Sequence, residues 1–119
     1  MPYMMEEMDE ETRRCQQECN QCAAVCTETI THCIEKGGRH AAPDHIGVLR
    51  DCAAICELAN LFMLHRSPYA EQLCGLCAEV CEKCAESCDH LADDDHMRHC
   101  AEVCRRCAES CRRMAGVRA

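Results

Sequence analysis

Tryptophan is absent from this 119-residue chain, phenylalanine occurs once and tyrosine twice. A core normally relies on large apolar side chains, so something else must fill this interior. Glycine and proline are also scarce, at five and three residues, which argues against the turn-rich framework of small disulfide-bonded domains. Positive charge is in deficit, with a formal net charge of −8, and nucleic acid is thereby denied the basic face it requires. The stretch from Met1 to Arg14 is rich in Glu and has no apolar core segment. Neither a signal peptide nor a membrane anchor is expected there, and a cytoplasmic location follows. Catalytic signatures are missing too. There is no Gly-rich phosphate loop, no HExxH and no nucleophile with an obvious base, so an enzyme is not expected.

What the chain does have is cysteine, sixteen of them. Cys15, Cys19, Cys22, Cys26 and Cys33 form one stripe and Cys52 and Cys56 a second. Cys74, Cys77, Cys81, Cys84 and Cys88 form a third, and Cys100, Cys104, Cys107 and Cys111 a fourth. Steps of three and four are the seam of a helix that faces partner helices. A mean period of about 3.5 keeps such a seam on a bundle axis, so the thiols should converge in one interior. Cysteines four apart on a helix hold their Cβ atoms about 5 to 6 Å apart, beyond the reach of a disulfide. A disulfide scaffold is therefore the weaker reading of so much cysteine.

The chain reads as one all-α domain over residues 1–119, an antiparallel up-down four-helix bundle with a Cys-lined core. Helices are expected at about 9–36, 45–66, 68–91 and 94–115. Gly37 and Gly38 stop the first helix. Asp44 is expected to cap the second, which carries Ile46, Leu49, Cys52, Ile55, Cys56, Ala59 and Met63 on its buried side. Ser67 and Pro68 should open the third as cap and first helical residue, and the run Asp93, Asp94 and Asp95 suits the start of the fourth. The third and fourth helices also repeat each other. Cys77 to Cys81 (CAEVC) matches Cys100 to Cys104, and Cys84 to Cys88 (CAESC) matches Cys107 to Cys111, at an offset of 23 residues. Duplication of a helical unit is the simplest account. Arg105, Arg106, Arg112 and Arg113 make the fourth helix locally basic and are expected to pair with Glu on its neighbours.

Thiolates select soft or borderline ions: Cu(I), Zn(II) and the iron of sulfur clusters. Zinc held by four thiolates carries two net negative charges, and several such sites in one dry core would accumulate charge that is costly to bury. One Cu(I) per thiolate leaves the core near neutral, which sets a capacity of roughly one ion per cysteine. The cysteine spacing of ferredoxins is missing. Four CxxC pairs occur, but none has the isolated setting of a structural zinc knuckle. A zinc-binding or redox-sensing thiol protein stays open as the alternative, with an iron–sulfur protein behind it.

With its CxxxC pairs Cys15/Cys19, Cys22/Cys26, Cys52/Cys56 and Cys100/Cys104 interleaved with CxxC steps, the chain resembles the bacterial copper storage proteins, in particular their cytosolic branch. The resemblance covers nearly the whole length. It implies an antiparallel four-helix bundle that assembles as a homotetramer and fills its interior with many Cu(I) ions, all sixteen cysteines serving as ligands. The antiparallel arrangement gathers His32, His40, His45, His90, His96 and His99 at one end. His45, His96 and Met97 fall in register with the cysteine stripes and are read as possible ligands at a copper entrance; the other four histidines read as solvated or as offsets to helix dipoles. At the opposite end Met8, Met63 and Met114, with Leu61, Phe62, Leu64 and Leu73, read as an apolar plug. Asn60 is expected near the inner face of the second helix, without a ligand role.

Overall fold

The computed structural model describes residues 9–116, which form four α-helices and one 3-10 turn. The helices are α1 (Glu10–Lys36), α2 (Pro43–Leu64), α3 (Ala70–Asp89) and α4 (Asp95–Gly116), with the turn at Gly38–Ala41. Each packs against two neighbours, α1 on α2 and α4, and α3 on α2 and α4. Short connections make successive helices antiparallel. No helix among the described residues is long and apolar enough to cross a membrane.

The helix ends explain the boundaries. Asp9 caps α1 by accepting the Thr12 amide at 2.8 Å, and Glu10 and Glu11 favour the positive end of the helix dipole. Gly37 closes α1 at φ 73°, where a side chain would be strained, and donates to the Cys33 carbonyl at 3.1 Å.

The start of α2 differs from the sequence reading. Asp44 is not its cap; Pro43 is the first helical residue, and Ala42 before it is extended at ψ 138°, as a residue preceding proline should be. At the C-terminus of α2, Ser67 donates to the Phe62 carbonyl at 2.9 Å and Arg66 to that of Met63 at 3.2 Å. This pairing is a Schellman ending, and it places Arg66 at φ 56° in the left-handed region that glycine usually occupies. Ser67 and Pro68 do not open α3. The Ser67 hydroxyl accepts the Tyr69 amide at 3.0 Å, forming a separate turn, and the regular helix starts at Ala70.

Among the described residues neither Phe62 nor Tyr69 is fully buried. All sixteen cysteines are fully buried, and alanines such as Ala78, Ala85, Ala101 and Ala108 fill the spaces between the stripes. Among the largest fully buried side chains are Leu49, Met97, Val103 and Thr29. Small side chains let the helices approach closely, and the bundle measures 50 × 28 × 20 Å. The α4 arginines tie it from outside, as expected: Arg112 pairs with Glu82 and Arg105 with Asp89 on α3, while Arg113 reaches Glu11 on α1 at 3.2 Å. Exposed pairs of this kind contribute little individually.

The plug expected at the far end is only partly built. Met63 and Met114 are buried and Phe62 and Leu73 half-buried, but Leu61 and Leu64 are exposed. Both lie on the outer side of α2, off its inner stripe of Cys52, Cys56, Ala59 and Met63. Met8 lies outside the described residues. Asn60 is half-buried.

Candidate metal centre

The four stripes bring the sulfurs into a near-continuous line of contacts along the bundle axis. At the end where α1 begins, Cys15 and Cys19 each lie 3.6 Å from Cys111. Cys107 is 3.7 Å from Cys19 and 3.8 Å from Cys56, and Cys56 is 3.6 Å from both Cys77 and Cys81. Cys52 continues the line at 3.6 Å from Cys81 and 3.8 Å from Cys22. Cys104 stands 3.8 Å from Cys22 and 3.7 Å from Cys26, and Cys26 stands 4.0 Å from Cys84. Cys88 lies beside Cys100 and Cys84, and Cys74 beside Cys111 and Cys15.

These contacts gather the thiols into groups of four. In the sets Cys19, Cys77, Cys107, Cys111 and Cys26, Cys84, Cys100, Cys104, every sulfur lies within 4.8 Å of the others. A disulfide needs about 2 Å between sulfurs, and all sixteen cysteines are free. Two thiolates sharing an ion at about 2.3 Å each sit about 3.8 Å apart at a tetrahedral angle and about 4.6 Å apart in line. The spacing therefore suits bound metal without large rearrangement. Thiols are protonated when buried alone, and each arriving cation displaces a proton.

Towards the other end the stripes change character. On α1 the step between Cys26 and Cys33 falls on Thr29, and on α2 the step between His45 and Cys52 falls on Leu49; both are fully buried. Beyond that layer Cys33 lies 3.4 Å from His45 Nε2 and 3.6 Å from Met97 Sδ. Burial, and after it the negative charge of Cys100, Asp94 and Cys84, pushes the Cys33 thiol up to about 11. His45 is 4 % exposed, and that burial holds its imidazole below the usual range, against the upward pull of Cys100. Ser87 Oγ lies 2.7 Å from Nδ1. With Nδ1–H donating to that hydroxyl, Nε2 presents its lone pair towards Cys33.

His96 behaves differently from His45. Its Nε2 lies 3.1 Å from Thr29 Oγ1 and its ring stacks on His32 at 4.2 Å between centroids, outside the cluster of Cys33, His45 and Met97. His90 and His99 are exposed. His32 and His40 are not simply solvated: their Nε2 atoms lie 2.7 and 3.1 Å from the same Asp94 oxygen. Burial would raise Asp94, but hydrogen bonds from His32, the His96 amide and His40 outweigh it and hold the carboxyl below its ordinary range. Sequence reasoning missed this hub, because an acidic run before a helix is fully accounted for as a cap.

The fold and site define a helical bundle whose interior is an array of free thiols arranged to hold many soft metal ions. The profile of the copper storage protein family matches residues 8–116, and the chain belongs to that family. Its fold is similar to that of a protein from Nitrosospira multiformis, at 40 % identity and a TM-score of 0.86, over 92 % of this chain and 99 % of that one. It is also similar to the Cu(I)-bound copper storage protein BsCsp3 of Bacillus subtilis, at 37 % identity and 0.83, over 90 % and 100 % of the two chains. A third similar structure is the Streptomyces lividans copper storage protein Ccsp loaded with 10 copper equivalents, at 29 % identity and 0.83, over 89 % and 84 %.

Proposed function

We propose that this chain stores Cu(I) in the cytoplasm, binding many ions through the thiolates of its sixteen cysteines without catalytic turnover. The observation that carries the reading is the thiol array itself, in which every cysteine is fully buried and unpaired. Packing alone explains no such array, since Val, Leu and Ala fill a bundle without reactive sulfur. Charge favours Cu(I) over zinc: one monovalent ion per thiolate neutralises the core, whereas tetrathiolate zinc leaves it strongly negative. The bound copper of two similar structures points the same way.

Cys33, His45 and Met97 serve as the entrance, where a thiolate, a neutral imidazole and a thioether offer a soft ligand set. A surface depression lined by Arg39, Asp44, His90 and Leu91 reaches His45 and Ser87 and supports that placement. The chain forms one domain and associates with copies of itself, as the homotetramer implied by the family resemblance. In support, Leu58, Leu61 and Leu64 on α2 and Leu76 on α3 are exposed apolar side chains.

Anaerobic titration of fully reduced protein with Cu(I) against a competing chelator tests the proposal. Saturation at ten or more tightly held ions per chain is expected. Saturation at one or two, with most thiols still reactive, would overturn storage and favour a regulatory or zinc-binding thiol protein.

A further inference from the structure

Outside the thiol core, three separate segments converge on one carboxylate. His32 comes from the last turns of α1, His40 from the 3-10 turn and Asp94 from the loop before α4. Both imidazole Nε2 atoms approach the same oxygen, Asp94 Oδ2, at 2.7 and 3.1 Å. The side chains of His32, His40 and Asp94 are 25, 15 and 12 % exposed, so the cluster is sheltered but reachable. Its second carboxylate oxygen is already used, since Asp94 Oδ1 accepts the His96 amide at 2.9 Å and fixes the carboxylate in place. The His96 ring, stacked on His32 at 4.2 Å, fixes one imidazole in turn.

From this geometry we infer a second metal site, distinct in chemistry from the thiol core: His32 Nε2, His40 Nε2 and Asp94 Oδ2 bind one borderline divalent cation of the zinc type. Two ligand atoms on bonds of about 2.0 to 2.1 Å at a tetrahedral angle stand about 3.3 Å apart; the His40–Asp94 spacing of 3.1 Å is close to this, and the His32–Asp94 hydrogen bond of 2.7 Å has to open by about 0.6 Å as the cation replaces its proton. Two imidazoles and a carboxylate suit Zn(II) and its neighbours, whereas Cu(I) prefers sulfur. Three protein ligands leave a fourth position to water. No sulfur belongs to the set, so the two kinds of ion sort by softness into separate places on one chain.

The site has a mechanical consequence. A bound cation would link α1, the 3-10 turn and the α3–α4 loop, all at the end that carries Cys33, His45 and Met97. Linking them restrains that end and slows passage of Cu(I). The consequence for copper rests on the storage reading; the cation site itself does not.

The test uses the intact chain, both reduced apo and Cu(I)-loaded, titrated anaerobically with Zn(II) and followed by NMR of the histidine rings. Copper loading keeps the thiols from competing. One Zn(II) per loaded chain is expected, without release of Cu(I), shifting the Nε2 signals of His32 and His40 and leaving those of His90 and His99 unchanged. Asp94→Asn keeps a residue that caps α4 well, so it should fold to the same helical content, with a melting temperature lowered by the loss of the two histidine contacts, while binding Zn(II) at least tenfold more weakly. Zn(II) should also slow removal of Cu(I) by a chelator in the parent and not in Asp94→Asn. The site is refuted if the His32 and His40 signals do not move, if Zn(II) binds only by expelling Cu(I), or if Asp94→Asn binds Zn(II) as the parent does. A chain that takes up no Cu(I) fails the storage reading at the loading step, and the ring signals of the apo protein still report the cation site.

Discussion

Replacing Cys104 by alanine removes one sulfur from the middle of the array, and its effects can be worked out from the neighbours it touches. Cys104 stands 3.8 Å from Cys22 and 3.7 Å from Cys26. It belongs to two four-thiol groups, one with Cys22, Cys26 and Cys52 and one with Cys26, Cys84 and Cys100. Losing a thiol amounts to about one methyl equivalent of burial, near 0.8 kcal/mol, and the void left in a fully buried site brings the total to about 1 to 2 kcal/mol. For a chain of this size that lowers the apo melting temperature by about 4 to 8 °C. Both groups become three-thiol sites, so the capacity for Cu(I) should fall by one to two ions. Cys33→Ala is the control. Its sulfur lies against His45 and Met97, so the variant should keep the central groups, lose at most one ion and load more slowly. Thermal melts by circular dichroism and chelator-competed Cu(I) titration measure both effects. If Cys33→Ala loses two or more ions, or Cys104→Ala loses none, the grouping of thiols into sites is wrong.

Other perturbations have equally definite outcomes. Leu49→Ala removes a fully buried side chain and should cost about 3 kcal/mol by chemical denaturation, while widening the layer between the entrance and the core; unchanged loading kinetics would remove Leu49 from that layer's function. Asp9→Ala deletes the acceptor of the Thr12 amide and should destabilise the apo protein by about 1 kcal/mol. Arg66→Gly relieves the left-handed backbone at the end of α2 and should stabilise by about 1 kcal/mol; a lower melting temperature would contradict the Schellman assignment. Burial raises Cys33 from 9.0 to about 11, so folding keeps it protonated where the unfolded chain has ionised. Its contribution is therefore complete below pH 9 and is lost as pH rises towards 11, visible as a falling apo melting temperature over that window.

Much of this architecture was legible because cysteine is rare and its periodicity is strict. The stripes located the inner faces, and glycine after Lys36 marked where α1 stops. Sequence reasoning erred where local chemistry offered two starts. Pro43 and Asp44 both signal a helix beginning, and the proline prevails because its missing amide and fixed φ suit the first position. Ser67 and Pro68 look like a cap and first residue, but the Schellman ending of α2 uses the Ser67 amide, and the Ser67 hydroxyl closes a turn on Tyr69. At the proposed entrance, register placed His45 and Met97 on the inner face, and both are buried there. Register placed His96 there as well, whereas its ring meets Thr29 and His32, one helical position away from Met97. The Asp94 hub joins residues 54 and 62 positions apart, a convergence that no local pattern encodes.

A core assembled from cysteine and alanine leaves only narrow space between its helices, and none of its sixteen sulfurs touches solvent. Such an interior admits bare ions and excludes carriers. Copper brought by a small thiol or by another protein must shed its escort at the surface, and under the proposed entrance His45, Met97 and Cys33 would take over the vacated coordination positions one at a time. The protein's selectivity then acts on the ion alone and is indifferent to the molecule that delivered it.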